Sequence, residues 1–564
     1  MVRLYMILIV SFVTFTVLSS CSKTWEDEPL ERFTDEYVWD VHDSLGQKAG
    51  DFLNQIYSYL PQGFTRLDGN YLDAATDDAI SSQPGGAVEV MASGGISPFN
   101  NPDDNWGKMY TGIRAASLFI NNIDKVPLSI KLPDGRSMRP VWKAEARFLR
   151  AFFYFELMKR YGGVPLMGDK VLQSDDNVQI PRSSFKRTVD YIVQQCELAI
   201  DSLRPDPVDM INLGRATKVA AMALKARTLL YAASPLYNGE NIAAGDSLSG
   251  YIDKDPERWH NAAVAAGDII NLGVYSLDAD FRDVFITAGN SETIFARNAG
   301  DYHQMEDDNS PIGYSGTSAY ANGRTSPTEE LVDAFPMANG LPITDINSGY
   351  DSTNPYFQRD PRLYYTVFCN GTDWLGRPVE TFNDGLDRPG TDKVQTLTGY
   401  YAKKFMGKFE TSTSYANEHQ TFIYFRYAEV LLNYAEAENE YEGPVGSVYT
   451  AIESVRQRAG LNPYKLPADL NKDQMRAIIH NERRIEMAFE EQRYWDIRRW
   501  KIADSVMNQP FHGIEIIRSS SGALTYTIVP VFSPRFTAPY QYLYPISYNE
   551  VASNEQMKQN PGWK

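Results

Sequence analysis

The sequence predicts a mostly α-helical fold in which short-linked pairs of amphipathic helices pack against an irregular region with a few short strands. Two observations carry this. Apolar residues recur at three- to four-residue spacing in block after block, and most blocks end in Gly or Pro. The stretch 275–424 breaks the rhythm: it is dense in Gly, Pro, Asn, Asp and Tyr, and its strand-like pieces are brief.

The helical blocks follow in order. Trp142 to Tyr161 presents Trp142, Ala146, Leu149, Phe153 and Leu157 on one face and stops at Gly162-Gly163. The next helix runs from about Ser184 to Leu203, opening after a serine and closing before Pro205. Thr217 is placed to cap Lys218 to Ala233, which Ser234-Pro235 ends, and Gly273 is placed to close Glu257 to Leu272. Phe425 to Tyr441 and Ser447 to Ala459 form a second pair, and one long helix is predicted over roughly Asp473 to Lys501. Small residues alternating with aromatics let helices approach closely, as in repeat proteins. The starts are irregularly spaced, so the pattern is one of degenerate tetratricopeptide-like pairs. The expected organisation is residues 1–20 as a signal peptide, 21–40 as a lipidated tether and 41–274 as an N-terminal helical region. A loop-rich insert over 275–424 and a helical pair, long helix and tail over 425–564 complete it.

The N-terminus reads as an export signal. Arg3 is the lone charge of the first twenty residues, and Leu4 to Leu18 is apolar but too short and interrupted to span a bilayer. Leu18-Ser19-Ser20-Cys21 has the form of a lipobox, which makes Cys21 the lipid-bearing residue and the anchor to a membrane. The net charge of −18 excludes nucleic acid as a partner and leaves the lipid, not a basic patch, as the membrane attachment. Three cysteines in 564 residues carry no information about disulfides. Cys196 falls on an apolar helix face, Cys369 follows a strand-like Tyr364 to Phe368, and a bridge between them is left open.

Catalytic signatures are scarce. The six histidines are scattered without an HExxH spacing, Gly313-Tyr314-Ser315-Gly316 lacks the spacing of a nucleophile elbow, and no cofactor or metal site is indicated. Charges in Glu482 to Arg499 recur at opposite-sign spacings, such as Glu490 to Arg493 and Asp496 to Arg499, and read as a structural ion-pair face. Aromatics make up 13% of the chain, with 35 Tyr and 9 Trp, side chains that offer both a stacking face and a polar tip.

Several stretches together resemble one family. Trp106 to Asp124, Ala146 to Leu166, Arg426 to Glu440, Asn481 to Trp500 and Tyr542 to Trp563 are similar, in this order, to the SusD/RagB outer-membrane nutrient-binding lipoproteins of Bacteroidetes. The resemblance implies a non-enzymatic protein on the cell exterior that binds an oligosaccharide and delivers it to a SusC-like TonB-dependent transporter. Two alternatives are a peptide-capturing RagB-like protein and a lipid-anchored glycoside hydrolase. Glu26, Asp27 and Glu28, soon after Cys21, are similar to the family's surface-export signal.

Ligand contacts do not follow from the family motifs, so the candidates come from chemistry and position. Asn70, Tyr71, Asp73 and Asp78 occupy a polar stretch before Trp106, and Tyr314, Tyr320, Arg324 and Trp374 lie in the loop-rich insert. Phenol and indole faces stack on sugar rings, while Asn, Asp and Arg hydrogen-bond hydroxyls. Trp106 itself lies inside a shared motif and is read as structural.

Overall fold

The computed structural model describes residues 35–564 apart from 174, 316–319, 391–393, 410 and 412–414. Cys21, the signal segment and the tether up to residue 34 lie outside the described residues. The main helices are α1 (Gln47–Tyr57), α2 (Trp106–Asn122), α3 (Met138–Tyr161), α4 (Phe185–Ile200), α5 (Lys218–Ala233) and α6 (Glu257–Leu272). After the insert come α7 (Tyr427–Tyr441), α8 (Gly446–Arg458), α9 (Lys472–Glu486) and α10 (Arg493–Arg499).

From α2 onward each helix packs on the next, through to α6. The chain then leaves the stack and returns to lay α7 on α6, so that α7 and α8 continue the row. Local chemistry sets the ends. Side-chain oxygens of Ser184 and Thr217 accept the N–H groups of Arg187 and Ala220 at 3.2 Å each, and Gly273 closes α6 at φ 63°. The close approach of α2 and α3 depends on a missing side chain: a Cβ on Gly112 would stand 2.7 Å from the Phe153 ring. Trp106, at the start of α2, is 4% exposed and packs on Tyr161, as its structural reading requires.

Three differences from the sequence reading have physical causes. Helix α3 begins a turn earlier than Trp142, because Ser137 accepts the Arg139 N–H and caps it there. Phe425 belongs to a strand, and Tyr364 to Thr366 to the helix Pro361–Thr366. The single long helix is two. Lys404 Nζ donates to the carbonyls of Glu486 and Ala488 at 3.0 and 2.8 Å, and Arg426 Nη2 donates to Glu486 O at 2.9 Å. Two cations thus take carbonyls that a continuing helix would use, and Phe489 and Glu491 turn into the left-handed region at φ 64° and 60°.

Besides four two-residue strands, the strands are β1 (Ala79–Ser81), β2 (Thr293–Tyr302), β3 (Thr325–Pro327), β4 (Glu418–Arg426), β5 (Phe511–Arg518) and β6 (Leu524–Phe532) among the described residues. They form antiparallel pairs β1 with β3, β2 with β4, and β5 with β6. Cys196 and Cys369 are both buried and free. The charged face of α9 and α10 is structural but lies inside the protein. Asp496 does pair with Arg499 at 2.8 Å, whereas Glu490 turns to Lys404 and Arg426, and Arg493 to Asp77.

Candidate functional site

The β1–β3 pair joins the two segments from which binding residues are expected. Ser81 pairs with Thr325, and one residue further Ser82 N–H donates to Arg324 O at 2.9 Å. The helix Gln304–Asn309 holds the other edge, its Asp307 and Asp308 carbonyls accepting the N–H groups of Asn322 and Arg324 at 2.9 and 2.8 Å. Arg324 therefore lies across Gly69, where φ is 80° and a Cβ would come within 3.1 Å of Arg324 Cγ. The Gln83 amide, turned so that its oxygen faces Arg324, accepts from both Nε and Nη1, so that Nη2 is the part of the guanidinium it leaves. Among the described residues Arg324 has no ion pair, which leaves guanidinium donors available to a ligand. Tyr320, four residues earlier in the chain, is 76% exposed, its N–H donating to Asp307 Oδ1 at 3.3 Å on the same helix.

A cavity of about 220 Å³ opens next to this patch, from Thr65 and Gln304 inward. Its apolar wall is aromatic: Phe64 stacks on Phe405 with centroids 4.1 Å apart, and Phe422 meets Phe64 edge-on. Gln62, Arg297, Tyr302 and Gln420 supply the polar rim. Thr65 and Gln304 also bond Asp308, whose carboxyl burial pushes up while those bonds and Arg324 restrain it. Glu306 accepts the Gly407 N–H at 2.8 Å and Gln420 Nε2 at 3.3 Å, and burial pushes it up to about 7. The whole constellation is an aromatic surface edged by amides and cations, suited to binding a polyhydroxylated ligand.

The other sequence candidates are placed elsewhere or turned inward. Asn70 is 1% exposed and accepts the Thr325 hydroxyl at 3.4 Å, so it braces the cleft from behind. Tyr71 is sealed between Phe489 and Phe405. Asp73 accepts the Phe489 N–H at 2.9 Å, and Asp78 accepts Arg484 Nε at 2.6 Å, both fully buried. Tyr314 and Trp374, each 2% exposed, pack in a small separate core with Phe368, Tyr401 and Phe409. Trp374 consequently has no ring face left for a sugar. Gln62, Gln83, Arg297, Tyr302, Gln304 and Gln420, which the structure adds as candidates, were not legible in the sequence, because scattered amides carry no motif and only the tertiary fold collects them.

A wider cleft of about 700 Å³ lies among α6, α7 and α9, with Trp259, Glu436, Glu440, Arg476, His480 and Trp500 in its wall. Its charges are engaged with one another, Glu440 with Arg476 and Glu436 with Arg499. His480 stacks on Trp500 at 3.6 Å, and burial lowers its pKa to about 4. Among the described residues no group of three or more His, Cys, Asp or Glu could hold a metal ion, and no helix is long and apolar enough to cross a membrane.

Comparison with known proteins settles the family. The model of the SusD family matches residues 291–563, and a model described as starch-binding, associating with the outer membrane, matches residues 56–230. The chain belongs to the SusD family. It is similar to SusD-like protein P2 of Formosa agariphila, 26% identical, with 83% of each chain covered. A crystal structure of a SusD-like protein from Bacteroides fragilis superposes with a TM-score of 0.77 at 27% identity, covering 95% of this chain and 100% of that one. A laminarin-binding SusD-like protein shares the fold at a TM-score of 0.62 and 20% identity, covering 92% of this chain and 99% of that one. In this SusD family member the cleft straddles the two matched parts. Asn70 and Gln83 come from the first, Tyr320 and Arg324 from the second.

Proposed function

We propose that this SusD family member captures a glycan at the Arg324 cleft and passes it to a SusC-like TonB-dependent transporter, tethered through lipid on Cys21 at the outer membrane. The observation that carries the reading is an Arg324 guanidinium without an ion pair among the described residues, linked through Asp308 to Thr65 and Gln304 in the wall of an aromatic cavity edged by amides, with Tyr320 exposed four residues away in the chain. A phenol face stacks on the C–H face of a sugar ring, and guanidinium and amide groups reach its hydroxyls. The family descriptions, one of them starch-binding, support the ligand class.

The test is calorimetry and affinity electrophoresis against a panel of soluble polysaccharides: laminarin, starch, xylan, mannan and galactan. Tyr320→Ala and Arg324→Ala each weaken binding by about three- to tenfold, the worth of one stacking or charged hydrogen-bonding contact. Undiminished affinity in both variants overturns the placement of the site. Sustained release of reducing ends by the purified protein overturns capture in favour of hydrolysis. Cys21→Ser, by removing the lipid acceptor, releases the protein from the membrane fraction.

A further inference from the structure

A second place presents aromatic rings to solvent, where the loop before α2 meets the chain at 545–549. Phe99 is 75% exposed and Tyr548 51% exposed, yet their rings stack with centroids 4.8 Å apart and planes 26° from parallel. The pair is held in place. Tyr548 N–H donates to Pro98 O at 2.9 Å, joining the two loops, and Ser97 Oγ accepts the N–H groups of Phe99 and Asn100 at 3.3 and 3.2 Å. These hydrogen bonds hold the backbone that carries the two exposed rings. An exposed apolar ring forgoes about 25 cal/mol for each Å² left in water, so a rigid exposed pair is a surface awaiting something to cover it.

The cleft beside the rings says what that is. It measures about 410 Å³ and carries Asn100, Asn101, Asp104, Ser547 and Asn549. The side chains of Asn100 and Asn549 make no hydrogen bond among the described residues, so their amides can both donate and accept. Asp104 is fixed by the Trp106 N–H at 3.0 Å and the Tyr161 hydroxyl at 2.6 Å, and it is the sole charged group in the wall. A wall of amides and hydroxyls with one carboxylate does not suit an anion, and it is too polar for an apolar helix. A neutral pyranose matches both parts: its C–H face lies on a ring and its hydroxyls meet Asn and Asp.

We propose that Phe99 and Tyr548 form a saccharide-stacking ledge for a neutral sugar ring, separate from the Arg324 cleft, with Asn100, Asn549 and Asp104 binding its hydroxyls. The ligand class rests on the glycan reading above, but none of these residues takes part in that cleft. Two contact points on one protein would hold a long chain by avidity, each strengthening the other through effective concentration.

Hydroxyl-radical footprinting of the purified protein tests this, using the same five polysaccharides as probes. At least one of them protects Phe99 and Tyr548 from oxidation, and the Phe99→Ala/Tyr548→Ala variant weakens that polysaccharide's binding about three- to tenfold. The conservative pair Phe99→Tyr and Tyr548→Phe keeps the stack and retains the affinity, which separates loss of stacking from loss of fold. Protection of Tyr320 without protection of Phe99 or Tyr548 overturns the ledge and leaves the Arg324 cleft standing. Protection of the ledge alone overturns the cleft instead. No protection by any probe at either place overturns both.

Discussion

The backbone N–H of Phe489 donates to Asp73 Oδ1 at 2.9 Å, linking residues 416 positions apart in the chain. The bond fixes the left-handed Phe489 that ends the α9 direction and begins the turn toward α10. Asp73 Oδ2 is buried without a partner among the described residues, and burial together with the nearby Asp78 charge pushes its carboxyl well above the usual range. Asp73→Asn keeps the acceptor and removes the charge, so stability at pH 7 is unchanged or raised. Asp73→Ala orphans the N–H and costs about 1–3 kcal/mol. Urea unfolding of the two variants checks this; equal losses would show that the charge itself is needed.

Arg426 sits at 0% exposure against Glu292, Glu486 and Glu490 at 2.6, 2.7 and 2.7 Å. It joins the end of β4 to the start of the insert and to the turn between α9 and α10. Arg426→Met leaves carboxylates facing one another in a dry interior and costs about 3–5 kcal/mol. Arg426→Lys recovers little of this, since an ammonium lacks the fork that reaches several acceptors at once. Denaturation midpoints measured for both variants decide it.

Two carboxyl groups act on stability in opposite directions with pH. Burial opposes charge on Glu436, but Arg499 prevails and holds it at about 2, below its ordinary 4.5. Its contribution is present above pH 4.5 and is lost as pH falls through 2. Glu306 runs the other way, pushed by burial to about 7, so its contribution is present below pH 4.5 and is lost as pH rises through 7. Glu306→Gln flattens the alkaline limb, by up to about 3 kcal/mol at one pKa unit per 1.36 kcal/mol. Unfolding free energies from pH 4 to 9 for the parent and the variant show whether it does.

Gly112→Ala raises helix propensity by roughly 0.5–1 kcal/mol yet lowers stability. The added methyl meets the Phe153 ring at 2.7 Å, and crowding in a packed core costs about 1–3 kcal/mol. A higher melting temperature in Gly112→Ala would show that α2 and α3 can separate cheaply.

Trp374→Ala lowers stability by about 3–5 kcal/mol, as removal of a buried aromatic does, because its ring packs on Phe368 and Phe409. Trp374→Phe keeps most of that packing and removes an indole N–H that has no partner among the described residues. Its glycan affinity equals that of the parent, a point calorimetry can check.

The sequence by itself determined the helices of the stack. Their apolar period, the caps at Ser184 and Thr217 and the stop at Gly273 act over a few residues, so local order sufficed. The family motifs were legible for the same reason, being continuous stretches. Only the tertiary structure decided which charged and aromatic residues face outward. Lys404 and Arg426 break α9 from far along the chain, Asp73 is consumed by a turn it cannot foresee, and Trp374 is enclosed by its own small core. Arg324 and Gln83 come together because β1 and β3 pair, and such pairing depends on contacts between segments more than two hundred residues apart. The amphipathic period says that a residue is apolar or polar; whether a polar one is spent inside the protein or kept for a ligand is settled by what packs against it.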